Sequence, residues 1–112
     1  MEVKLKVLAG KNAGQELLVS GPKFAIGRDD KCQLRPKSDS VAPLHCVIVQ
    51  QEGRALVKDL GSPVGTFVNG RRLDRTFELR TGDLLKIGVL EFEVLISTGM
   101  AKKKLPKVND AA

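Results

Sequence analysis

Residues 45–70 read HCVIVQQEGRALVKDLGSPVGTFVNG, three short apolar runs divided by glycine-bearing turns. His45 to Gln51, Ala55 to Lys58 and Gly65 to Val68 are each below a usual helix length and rich in β-branched residues, which predicts strands. Gly53 and Gly61 punctuate the runs, and Asn69-Gly70 is a strong hairpin signal because both residues tolerate positive φ. The same texture extends outward. Toward the N-terminus, Val3, Leu5 and Val7 alternate with Lys4 and Lys6 as in a half-buried strand. A turn over Gly10 to Gly14, a return arm over Gln15 to Val19 and a strand over Phe24 to Ile26 follow. Toward the C-terminus, Asp83 to Ile87 and Leu90 to Ile96 complete the set, with Gly82 and Gly88 as breaks. Many short strands at this spacing predict an all-β sandwich or barrel. Its expected core is Val47, Val49, Leu56, Val57, Leu84, Ile87, Phe92 and Val94.

The chain has 112 residues, 42% of them hydrophobic, enough for one packed core. No apolar run approaches the ~18 residues of a membrane span, and the N-terminus lacks the layout of a secretory signal. A cytoplasmic protein is expected. Residues 1–97 form the expected domain. Residues 98–112 hold Lys102, Lys103, Lys104 and Lys107 without periodicity and read as a basic disordered tail. The formal net charge is +6; four tail lysines against Asp110 account for +3 of it, which leaves only +3 on the body. With no Trp, no Tyr and four Phe, a base-stacking platform is poorly supplied, so a nucleic-acid partner is not expected.

Catalysis and metal binding fail on inventory. His45 is the sole histidine and Cys32 and Cys46 the sole cysteines, one ligand short of a structural zinc site. On a strand, His45 and Cys46 point to opposite faces and cannot form a nucleophile–base dyad. Gly61 to Gly70 is glycine-rich but lacks the Lys-Ser/Thr ending and following helix of a phosphate-binding P-loop. The sequence therefore predicts neither an enzyme, nor a cofactor, nor a metal. Arg28 to Leu44 is a long, polar, irregular stretch between strands, and such loops in compact β domains usually carry function.

The order of motifs is more specific than any one of them. Phe24-Ala25-Ile26-Gly27-Arg28, then His45, then Lys58-Asp59-Leu60-Gly61-Ser62 and Gly65-Thr66-Phe67-Val68-Asn69-Gly70 together resemble the forkhead-associated (FHA) family. Leu79-Arg80-Thr81-Gly82-Asp83 and Ile87-Gly88 also fit, so the resemblance runs from about Val3 to Ile96. It implies a two-sheet antiparallel β-sandwich whose loops at one end bind phosphothreonine segments of protein partners in signalling. It also implies that Arg28 contacts phosphate, a role suited to a permanently charged, forked guanidinium; an ion pair with Asp29 or Asp30 is the competing reading. His45 matches the family's loop-buttressing histidine. Gly27 and Gly65 are expected to permit close approach or unusual backbone angles.

The chain departs from the family pattern in two places, at Ala42-Pro43 and at Val64. Where Ser-Arg-x-His is usual, this chain has Ala42-Pro43-Leu44-His45, and Val64 stands where Asn usually precedes the Gly-Thr pair. Neither Ala42 nor Val64 can hydrogen-bond a ligand through its side chain. Ser62 and Thr66, with Arg35, Lys37, Ser38 and Ser40 of the long loop, are the candidate replacements; for Ser38 and Ser40, ordinary turn residues are the competing reading. Two alternatives stay open: a phosphate-independent protein–protein scaffold on the same fold, and an anionic-surface or nucleic-acid binder working through the lysine tail.

Overall fold

The computed structural model describes residues 1–97; the expected tail, 98–112, lies outside them. Within the described residues, ten strands form two antiparallel sheets. The first sheet has the order β2 (Glu16–Val19), β1 (Glu2–Val7), β10 (Leu90–Ser97), β9 (Leu84–Ile87), β6 (Thr66–Val68) and β7 (Arg71–Arg72). The second has the order β3 (Lys23–Ile26), β4 (Cys46–Gln51), β5 (Arg54–Asp59) and β8 (Phe77–Leu79). The β-sandwich is as expected. Among the described residues, no helix is long and apolar enough to cross a membrane.

Alternation decides the core. Val3, Leu5, Leu85, Ile87, Phe92 and Val94 point inward from the first sheet and meet Phe24, Ile26, Cys46, Ile48, Ala55 and Val57 from the second. Burying each large apolar side chain contributes about 1.5–3 kcal/mol, so this interface holds the two sheets together. Val57, Ile87, Phe92 and Val94 are core residues as predicted. Val47, Val49 and Leu56 are only half-buried, and Leu84 is 50% exposed. The run CVIV is apolar at both parities, so its local pattern does not say which face turns inward. Pairing across the sheet does: Ile48 lies opposite Val57 on the core side, and Val49 opposite Leu56 on the other.

Register also gathers the loops. Ile26 pairs with Cys46, Cys46 with Asp59, Thr66 with Ile87, and Phe92 with Val7. The connections 27–45, 60–65, 88–89 and 8–15 therefore emerge at one end of the sandwich. At the other end, Asn69 (φ 52°) and Gly70 (φ 84°) make the predicted two-residue hairpin between Val68 and Arg71. β7 and β8 were not predicted: they are two and three residues long, too short to show a period.

Candidate functional site

The 27–45 loop leaves β3 through a contact only glycine allows. A Cβ on Gly27 would stand 2.1 Å from the Pro43 carbonyl oxygen. Absence of that carbon lets the two ends of the loop pair: the Arg28 N–H donates to the Ala42 carbonyl at 3.1 Å and the Asp29 N–H to the Pro43 carbonyl at 3.0 Å. Arg28 Nε donates to the Val41 carbonyl at 2.5 Å, and Val41 itself is fully buried in the core. The arginine stem is thus tied to the loop while the residue stays exposed. Among the described residues Arg28 has no carboxylate partner; Asp30 pairs instead with Arg35 at 3.1 Å.

His45 joins this loop to the next. Its Nδ1 accepts from the Ala42 N–H at 3.0 Å and its Nε2 donates to the Gly65 carbonyl at 2.9 Å, with the ring fully buried. Nδ1 therefore carries no proton and Nε2 carries one. Its backbone is held too, its N–H by the Ile26 carbonyl and its carbonyl by the Leu60 N–H. With both ring nitrogens engaged, His45 offers no free position to a nucleophile. The thiols match this inert setting. Burial pushes Cys46 up to about 12. Burial, reinforced by the Asp29 charge, also raises Cys32, whose Sγ lies 3.4 Å from the Pro43 carbonyl.

The 60–65 loop is organised by Asp59. One carboxylate oxygen accepts from the Ser62 hydroxyl at 2.5 Å and the Thr66 hydroxyl at 2.7 Å. The other accepts from the N–H groups of Gly61 at 2.9 Å and Ser62 at 3.0 Å. Burial alone would raise the carboxyl, but the Ser62 and Thr66 hydroxyls and the two backbone donors outweigh it and hold Asp59 below the ordinary carboxylate range. Ser62 Oγ then accepts from the Gly65 N–H at 3.1 Å. Arg72 closes the loop from β7: its Nη2 donates to the carbonyls of Ser62 at 3.4 Å and Pro63 at 3.3 Å. Gly65 has φ 97°, and a Cβ there would meet Arg72 Nε at 2.7 Å.

The expected site residues therefore separate. Arg28, Gly27, His45 and Gly65 come together, linked through the buried imidazole. Ser62 and Thr66 lie beneath the second loop, 4% and 0% exposed, with their hydroxyls directed to Asp59. Ser38 and Ser40 bond each other at 2.8 Å, and Ser40 Oγ accepts from the Val89 N–H at 3.0 Å, which turns it toward the β9–β10 hairpin. Arg35 and Lys37 line a groove shared with the β1–β2 hairpin. Asp59 and Arg72 were not singled out from sequence. Asp59 had a local signal, a carboxylate two and three residues ahead of turn N–H groups; Arg72 had none that set it apart from Arg71. Three apolar side chains also stand exposed on these loops: Leu44 at 47%, Leu60 at 40% and Val64 at 46%.

Comparison with known proteins agrees with this fold. Residues 24–88 match the model of the FHA domain. The chain is 33% identical over 97 residues to the oxoglutarate dehydrogenase inhibitor of Corynebacterium efficiens, covering 87% of this chain and 66% of that protein. It is 31% identical over 107 residues to the glycogen accumulation regulator GarA of Mycolicibacterium smegmatis, covering 96% of this chain and 62% of that protein. The chain thus spans less than two thirds of these relatives' length. Among solved structures, Mycobacterium tuberculosis EmbR in complex with a low-affinity phosphopeptide superposes with a TM-score of 0.80 at 28% identity, over 88% of this chain and 25% of that one. The FHA domain of the CT664 protein from Chlamydia trachomatis gives 0.78 at 26% identity, over 88% and 100%.

Proposed function

This chain belongs to the FHA domain family, and we propose that it is a signalling interaction module that recognises a phosphothreonine-bearing segment of a protein partner through the loops around Arg28. One observation carries the reading: Arg28 is exposed, tethered at Nε by the Val41 carbonyl and without a carboxylate partner among the described residues. A guanidinium held this way keeps its remaining donors for a dianion and loses little side-chain freedom on binding. Gly27, His45, Asp59 and Arg72 act as positioning residues, since each fixes loop backbone. Ser62 and Thr66 are assigned to the same supporting role, because their hydroxyls already serve Asp59.

A second reading, phosphate-independent protein binding, is favoured by Ala42, by Val64 and by the apolar side chains of Leu44 and Leu60 at the rim. One experiment separates the two: a degenerate phosphothreonine peptide library and its unphosphorylated twin are titrated against the wild-type chain and Arg28→Ala. Binding that needs the phosphate and is lost in the variant supports the first reading. Binding indifferent to both supports the second.

A further inference from the structure

On the loop-bearing end of the sandwich, beside the 27–45 loop, runs a groove of about 640 Å³ between the β1–β2 hairpin and residues 34–37. Its floor is apolar: Val7, Leu17, Leu34 and Leu90 are half-buried against the core, and Phe92 lies beneath them. Its rim is cationic. Lys11 stands on the hairpin side and Arg35 and Lys37 on the opposite side, and among the described residues no carboxylate lines the groove. Among the described residues, only Arg35 of these three forms an ion pair, and that pair with Asp30 is highly exposed, so it screens the rim little.

We propose that this groove is a docking surface for an acidic segment of a partner protein that carries apolar anchor residues. The apolar floor requires side chains that gain by leaving water, and the three rim cations require carboxylates between them. A second copy of the domain would bring a body of net charge +3, and residues 98–112 are themselves lysine-rich. Both are repelled by such a rim, so charge complementarity selects a foreign acidic chain. The walls are preformed. The Leu34 N–H donates to the Ala25 carbonyl at 3.2 Å, the Leu34 carbonyl accepts from the Gly27 N–H at 3.0 Å, and the Gln15 carbonyl accepts from the Val7 N–H at 2.8 Å. The surface does not depend on the reading of Arg28, although the Gly27–Leu34 bond places the two on neighbouring backbone.

The test uses the isotope-labelled chain and a short unphosphorylated peptide of Glu and Asp with interspersed Leu and Phe, together with its twin carrying Lys in place of the acids. The acidic peptide is expected to shift the amide signals of Val7, Leu17, Leu34 and Leu90 saturably, and the basic twin to leave them unmoved. Lys11→Glu with Lys37→Glu should weaken the acidic peptide about tenfold, the scale of two reversed rim charges. Arg28→Ala should leave that affinity unchanged, and Lys11→Glu alone should keep any phosphothreonine binding. No saturable shift, equal binding of the basic twin, or shifts centred on Arg28 would each overturn the proposal.

Discussion

The buried imidazole of His45 and the carbonyl of Gly65, twenty residues apart in the chain and 2.9 Å apart in space, join the two loops of the candidate site. Because the same ring accepts from the Ala42 N–H, the Arg28 loop and the Asp59-braced loop share one rigid element. Replacing His45 by Ala leaves the part-buried Ala42 N–H and the buried Gly65 carbonyl without partners as well as a cavity. Such a change should destabilise the chain by about 2–4 kcal/mol. Urea unfolding measures it, and a loss below about 1 kcal/mol would mean that the loops are held by something else.

Arg28→Ala should cost only about 0.5–1.5 kcal/mol of stability, the net worth of the bond from its Nε to the Val41 carbonyl, because the residue is otherwise exposed. Phosphothreonine-peptide affinity should drop about hundredfold, the equivalent of one bidentate charge-assisted contact. Arg28→Lys should recover only part of it, since an ammonium lacks the fork. Full recovery by lysine would show that charge alone suffices.

The Asp59 network makes stability sensitive to acid. Its carboxyl is held below the ordinary value in the folded chain, so its contribution is complete above the unfolded carboxylate value of about 3.9 and is lost as pH falls through the lower folded value. An asparagine at this position cannot take up the proton. The stability difference between wild type and Asp59→Asn should therefore shrink below about pH 4. A difference that stays constant from neutral to acid pH would sink the account.

At Gly27, the carbonyl of Pro43 occupies the place of a side chain. Gly27→Ala should force the loop ends apart at a stability loss of about 1–3 kcal/mol and displace Arg28 with them. Peptide affinity and the amide signals of Arg28 and Asp29 should change together. Wild-type signals in a folded variant would contradict the predicted close approach.

Both thiols should resist alkylation at neutral pH in the folded chain, because burial raises Cys32 and carries Cys46 to about 12. In denaturant both should react readily. Rapid labelling of Cys46 in the native protein would show that the β3–β4–β5 sheet opens far more often than its packing implies.

Much of this molecule is written locally. Period-two alternation marks β1, β-branched runs mark β4 and β5, and Asn69-Gly70 marks a hairpin, because these signals depend on neighbours only a few residues away. The ordered motifs from Gly27-Arg28 to Ile87-Gly88 are likewise legible in the sequence, and they single out Arg28 and His45. What tertiary structure alone decided are the matters set by distant partners. Leu85 rather than Leu84 enters the core because the opposing sheet supplies its contacts. Ser40 turns to Val89 across 49 residues, and Ser62 and Thr66 turn to Asp59 rather than outward. A serine carries the same hydroxyl in a turn, at a site or beneath a loop. Only the closing of the chain determines which buried donor or acceptor is near enough to claim it.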